Sequence, residues 1–221
     1  MQAFTVHRGK AVVLDWTDVN TDLIIPARYL KRVERVGYGP LFFADKRYVA
    51  GGSPQADDPD KHGPLDPDFP LNKPEAAGAT ILVVGRNFGC GSSREHAVWA
   101  VAQAGFRALI APGKGEGFAD IFEGNAYGNG LVALEVPQDQ WDAIASAVRA
   151  GAELTFDLHE SRLTVHPKDG GSETTYPIDI PEDQRHRLLN GLDAIAETLL
   201  DEPAIRAHEE KAPIWITPQP A

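Results

Sequence analysis

The chain has 221 residues, 43% of them hydrophobic, which is enough apolar material for one sizeable core and points to a single domain over residues 1–221. A formal net charge of −11 repels polyanions and argues against a nucleic-acid partner. No run approaches the roughly 20 apolar residues that cross a bilayer, and Met1 to Arg8 lack the apolar core of a secretion signal, so a cytoplasmic protein without membrane contact is expected.

In chain order, Ala3 to Val6 and Lys10 to Leu14 read as two short strands. They precede the turn-rich Asp15-Trp16-Thr17-Asp18-Val19-Asn20-Thr21-Asp22, where Asp and Asn favour side-chain to backbone bonds over a regular ladder. Arg28, Lys31, Arg32 and Arg35 form the one basic cluster, sized for a small carboxylate ligand. Gly51 to Gly78 contains six prolines, five aspartates and almost no branched aliphatics, and reads as an exposed insertion.

From Ala79 the pattern is regular. Thr80 to Val84 is a buried-type strand, Arg94 to Ala104 a helix ended by Gly105, and Ala108 to Ala111 the next strand. Phe118 to Tyr127 then reads as a helix, Leu131 to Val136 as a strand, and Trp141 to Arg149 as an amphipathic helix burying Trp141, Ile144, Ala145 and Val148. Glu153 to Leu158, Arg162 to His166 and Thr174 to Ile178 alternate as a half-exposed antiparallel ribbon. Pro181 to Leu200 reads as one last helix with Leu188, Leu189, Leu192, Ile195, Ala196 and Leu199 on its buried face. The class is α/β, a mixed sheet flanked by helices.

The chemistry-bearing segment is Gly85-Arg86-Asn87-Phe88-Gly89-Cys90-Gly91-Ser92-Ser93-Arg94-Glu95-His96-Ala97, between a buried strand and a helix. A glycine-rich turn there directs backbone N–H groups and the positive end of the helix dipole at one place, which suits an anion. The glycine spacing does not match a dinucleotide fingerprint, and no acidic ribose partner follows at the required distance. Ser92 and Glu95 also fit a capping box, which accounts for a serine and a glutamate three apart with no catalysis at all.

Cys90 at a helix start has the position of a reactive thiol, but no histidine is evidently its base, and packing in a tight turn serves equally well. It is the chain's one cysteine, so disulfides within the chain and any metal or iron–sulfur site built from several thiolates are excluded; another chain would have to hold such a group. His96 stands one helical turn past Ser92, with a local structural bond as the simpler reading.

Three segments in this order resemble the swivel domain of the aconitase superfamily: Asp18-Val19-Asn20-Thr21-Asp22-Leu23-Ile24-Ile25-Pro26, then Gly89 to Ala97, then Phe118-Ala119-Asp120-Ile121-Phe122 with Asn125 and Gly130-Leu131. The likeness spans nearly the whole chain and is strongest to the free-standing small-subunit form, the isopropylmalate dehydratases. It implies a swivelling β/β/α domain that closes over a large partner subunit carrying a four-iron, four-sulfur cluster, this chain binding no cofactor or metal itself and being inactive alone. The implied reaction is dehydration and rehydration of a hydroxy-dicarboxylate, 2-isopropylmalate to 3-isopropylmalate, in leucine biosynthesis.

Carried over by motif, Ser92 is the base, Ser93 and Arg94 hold a substrate carboxylate, and Asp22 matches an acidic site residue, with a turn-stabilising role as its alternative. Leu30, Lys31, Arg32 and Val33 fall in the segment that sets substrate choice, Leu30 and Val33 suiting an alkyl group and Lys31 or Arg32 a carboxylate or solvent. A homoaconitase or dimethylmalate-type dehydratase small subunit, or a non-catalytic ligand-binding swivel domain, remain alternatives. Two stretches depart from the family pattern: the long 51–78 insertion, and Pro112-Gly113-Lys114-Gly115-Glu116-Gly117 in place of a shorter connection before Phe118.

Overall fold

One strand, β1 (Val6–Leu14), joins two kinds of sheet. Its first half, Val6 to Lys10, pairs antiparallel with β5 (Glu153–Asp157), and its second half, Ala11 to Leu14, pairs parallel with β2 (Ile81–Val84). The two short strands expected before Asp15 are therefore one, because both halves of the ladder find partners without a turn between them. The computed structural model describes residues 1–49, 62–113 and 115–211.

Beyond β2 the parallel half continues through β3 (Ala108–Pro112) and β4 (Val132–Val136). Beyond β5 the antiparallel half continues through β6 (Arg162–His166) and β7 (Thr174–Pro177). The full order is β4-β3-β2-β1-β5-β6-β7. Burial follows strand type: every residue of β2 and β3 is buried, as expected of parallel strands covered on both faces, whereas β5 and β6 alternate between buried and partly exposed positions.

Short helices α1 (Thr21–Ile24) and α2 (Ala44–Arg47), which the sequence pattern does not announce, fill the connection from β1 to β2. The crossover helices are α3 (Glu95–Gln103) and α4 (Asp120–Gly128). Helix α5 (Gln138–Arg149) packs against β1 and β3, and its buried Trp141 donates from Nε1 to the Val84 carbonyl at 2.8 Å. That bond anchors the end of β2, from which the glycine-rich turn departs.

Two expectations are corrected. The last helix is not continuous: α6 (Glu182–Asn190) ends at Gly191 in the left-handed conformation, and α7 (Ala194–Leu199) restarts with the Asp193 side chain accepting from the Ala196 N–H, followed by α8 (Glu202–Glu209). Gly191 turns the chain away from the sheet, so Ile195 and Leu199, expected inside, are exposed at 73% and 57%. Second, the part of the 51–78 segment that is described, 62 to 78, is not uniformly exposed. Phe69 packs against Trp16 and Phe43, and the His62 ring stacks on Tyr48 at 4.7 Å. Residues 51 to 61 of that segment lie outside the described residues.

Candidate active site

The site is built where the parallel strands end, the usual ligand position in open α/β sheets. Three loops leave the carboxyl ends of β1, β2 and β3 and run on side by side, held by backbone bonds. The Asp18 N–H donates to the Arg86 carbonyl at 2.9 Å, Gly89 N–H to Val19 at 2.7 Å and Thr21 N–H to Cys90 at 2.8 Å. On the other side, the Asn87 and Phe88 N–H groups donate to the Glu116 and Gly117 carbonyls at 2.9 and 3.0 Å, and Ala119 N–H to Phe88 at 3.1 Å. The order of the strands is thus preserved into the site by loops that lie about seventy residues apart in sequence on the first side and about thirty on the second.

Between them lies a cleft of about 760 Å³ lined on one side by Asn87, Gly89, Gly91, Ser93 and Arg94, and on the other by Phe118, Ala119, Ile121 and Phe122. Gly89 is dictated by this packing. Its φ is +82°, and a Cβ there would stand 2.3 Å from Phe122 Cγ. Asp18 and Asn87 also adopt left-handed backbone, at φ 54° and 55°, and are bonded to each other, Asn87 Nδ2 to Asp18 Oδ1 at 2.7 Å. Asn and Asp are the residues that tolerate this region best, and two such outliers in contact mark a site whose shape is over-determined.

The turn itself differs from a capping box. Helix α3 starts at Glu95 with Arg94 as its N-cap and no side-chain cap bond. The Glu95 carboxylate accepts instead from Asn129 Nδ2 at 3.0 Å. Freed from capping, the Ser92 side chain is exposed, while its carbonyl accepts from the Thr21 hydroxyl at 2.7 Å. Within the described residues, the N–H groups of Gly91, Ser92, Ser93 and Arg94 and the hydroxyls of Ser92 and Ser93 donate no hydrogen bond. The result is a concave run of donors suited to an oxyanion.

Arg94 is mostly covered, with 17% of its side chain exposed, and its guanidinium is paired with the Asp22 carboxylate. Asp22 therefore orients Arg94. Ser93 and Arg94 line the cleft; Ser92 sits between two lining residues, Gly91 and Ser93, without lining it itself.

Leu30, Lys31, Arg32 and Val33 are not brought into this cleft. Their loop is fastened to the outer side of α3. Gln103 Nε2 donates to the Arg35 carbonyl at 2.8 Å, its Oε1 accepts from the Tyr38 N–H at 2.8 Å, and Tyr38 packs on His96 and Trp99. Arg32 folds back over the Tyr38 ring, Leu30 packs partly on the core, Lys31 is exposed, and Val33 is 91% exposed.

His96 is held between Tyr38 and Trp99, with ring centroids at 5.6 and 4.7 Å. Burial lowers its pKa, and the neighbouring Arg94 adds to this against an opposing effect of Glu95. It is a neutral packing residue. Burial and the Asp18 charge push the Cys90 thiol up, opposite to the shift a nucleophilic thiol needs.

Residues that sequence reasoning did not single out include Thr21, Arg86 and the Asp18–Asn87 pair. Arg86 reaches Glu116 and Gln138, each at 3.3 Å, across the mouth of the cleft. The readable signal was the Asp-x-Asn and Arg-Asn spacing of left-handed turns; what those turns clasp was not readable.

Comparison with known proteins gives the family. The profile of the aconitase C-terminal domain matches residues 1–139, the part of the chain that contains all three site loops. The 3-isopropylmalate dehydratase small subunit of Desulforapulum autotrophicum is 44% identical across 98% of each chain, and that of Neisseria meningitidis serogroup C (strain FAM18) is 46% identical across 96% of this chain and 95% of the relative. The crystal structure of a 3-isopropylmalate dehydratase from Methanocaldococcus jannaschii matches with a TM-score of 0.56 and 25% identity, over 93% of this chain and 99% of that one. The chain belongs to the family of 3-isopropylmalate dehydratase small subunits.

Proposed function

We propose that this chain, with a large subunit, interconverts 2-isopropylmalate and 3-isopropylmalate by removal and readdition of water, as a hydro-lyase of leucine biosynthesis. The observation that carries the reading is the Gly89–Arg94 turn, in which the N–H groups of Gly91 to Arg94 donate no bond among the described residues, with the exposed Ser92 and an Arg94 guanidinium held in place by Asp22.

Removing a proton from carbon next to a carboxylate spreads a second negative charge over that carboxylate. The site therefore needs a base beside a group of fixed donors. Ser92 Oγ takes the proton. Arg94 and the Ser93 hydroxyl hold the carboxylate, and the amides of Gly91 to Arg94 stabilise both its developing charge and the alkoxide form of Ser92, whose pKa in water is far too high to serve unaided. Asp22 acts by holding the guanidinium in place through their ion pair.

A four-iron, four-sulfur cluster does not fit the donor set of this chain. It has one cysteine, and the described residues bring no three His, Cys, Asp or Glu side chains together as ligands. The cluster is assigned to the large subunit. The exposure of Val33 and Val36, at 91% and 70%, supports a role for the 30–37 loop in meeting that subunit or the alkyl group of the substrate on closure.

The test is reconstitution. The purified chain is mixed with a cluster-loaded large subunit and the absorbance of the unsaturated intermediate is followed with isopropylmalate, homocitrate-type and dimethylmalate-type substrates. Preference for isopropylmalate is expected, together with loss of turnover in Ser92→Ala at unchanged subunit association. Near-normal turnover by Ser92→Ala would refute the assignment of the base.

A further inference from the structure

The 115–118 segment, between β3 and α4, has its own anchor. Glu135 stands on β4 opposite Ala111 of β3, and it is the one position of that strand that is not buried. Glutamate is poorly suited to a strand by propensity. Its carboxylate is used in full: Oε1 accepts from the Gly117 N–H at 2.8 Å and the Phe118 N–H at 3.0 Å, and Oε2 accepts from the Gly115 N–H. The fit leaves no space at Gly117, where a Cβ would stand 2.9 Å from Glu135 Oε1 and 2.8 Å from the Ala111 Cβ.

The same loop reaches the catalytic turn. The Glu116 and Gly117 carbonyls receive the N–H groups of Asn87 and Phe88, directly before Gly89. Glu135 thus fixes the donors of 115–118 on one side, and the carbonyls of that segment fix the 87–89 backbone on the other. A charged acceptor serving three amides is a strong local constraint.

We infer that Glu135 is a positioning residue for the reaction, setting the Gly89–Arg94 turn through the 115–118 loop. The inference rests on the functional reading above for its kinetic consequence, but its structural half stands apart from it. A carboxamide at 135 keeps one acceptor oxygen and loses the other, so one edge of the loop is released while the side-chain volume is conserved.

The experiment combines two measurements on the full chain: amide hydrogen exchange of the isolated protein, and steady-state kinetics with the large subunit. In the wild type, the Gly115, Gly117 and Phe118 amides should be protected. In Glu135→Gln the retained oxygen still serves Gly117 and Phe118, and the Gly115 amide on the released edge should exchange about tenfold or more faster, as expected of a bond lost to local opening. The kcat should fall roughly ten- to a hundredfold, the size of effect that follows a displaced reacting group, with KM changed by less than about threefold. A variant destabilised elsewhere would not show this split between kcat and KM.

Unprotected Gly117 and Phe118 amides in the wild type would overturn the inference whether or not the variant folds. So would an active Glu135→Gln enzyme with wild-type kcat. Absence of isomerase activity in the wild-type pair would instead refute the functional reading, and the exchange data would still decide whether Glu135 holds the loop.

Discussion

Replacing Gly89 by alanine tests the packing of the site with a single methyl group. The new Cβ would lie 2.3, 2.5 and 2.6 Å from Phe122 Cγ, Cβ and Cδ2, against a carbon–carbon optimum of about 3.5–4.0 Å. Phe122 cannot swing clear, because it is 3% exposed and its ring packs on Phe88 and Phe118 at 5.3 and 6.2 Å. Relief of such an overlap costs about 1–3 kcal/mol, and placing an L-residue in the left-handed region adds about 1–2 kcal/mol. The sum, about 2–5 kcal/mol, is a large fraction of the roughly 5–15 kcal/mol that holds a domain folded.

Urea unfolding followed by tryptophan fluorescence measures it, with Gly170→Ala as the control. Gly170 has a similar φ of +75° and nothing within 4 Å of an added Cβ, so that variant carries the backbone cost without the overlap. Gly89→Ala should be the less stable of the two by about 1–3 kcal/mol. Equal losses in the two variants would refute the claim that Phe122 closes the space over Gly89.

Arg94→Lys should leave stability within about 1 kcal/mol, because Asp22 is half exposed and such pairs contribute little. Its kcat/KM with the large subunit should nevertheless drop about 10- to 150-fold, the equivalent of one charged hydrogen bond of about 1.5–3 kcal/mol, since an ammonium lacks the planar fork. Unchanged kcat/KM would remove Arg94 from carboxylate binding. For His96, burial lowers the folded-state pKa below the unfolded one, so the unfolded chain binds the proton more readily. The stability it contributes is complete above the unfolded value of about 6.5 and is lost as pH falls through the lower folded value. His96→Phe should flatten that part of the stability profile, and an identical acid slope in the variant would contradict the neutral packing role.

Sequence pattern made the sheet legible wherever a strand has one environment. Ile81 to Val84 and Ala108 to Pro112 are buried throughout and read as continuous apolar runs, and β5 and β6 alternate as they were expected to. The pattern failed where one element serves two partners or where a local signal interrupts a periodic one. Strand β1 belongs to a parallel and an antiparallel ladder at once, and its composition changes midway without a break in the chain. In the C-terminal region the leucine spacing runs on past Gly191, but Gly191 and Asp193 end one helix and cap the next, and the backbone signal wins.

The site was legible in part for the same reason. Glycines and serines ahead of a helix announce a donor-rich turn, and the turn is there. Its relation to the 30–33 segment depends on the two ends of one amide, Gln103, gripping Arg35 and Tyr38 from α3, a contact between residues 65 and 68 positions apart that no local pattern encodes.

The charges of the cleft bear on the partner that the proposed function requires. Arg86 and Arg94 line it, but so do Asp18, Glu116 and Asp120. Arg86 is answered by Glu116, Arg94 by Asp22, and Asp18 by the Asn87 amide. In the isolated chain, open to water, these pairs are mutually satisfied and a dicarboxylate gains little by displacing them. Among the described residues the run of N–H groups from Gly91 to Arg94 is uncommitted, and such dipoles act strongly only where water is excluded and the local dielectric is low. In the proposed function, closure over a second subunit supplies that condition. On that reading the donor turn is built on the small chain and made effective by the large one.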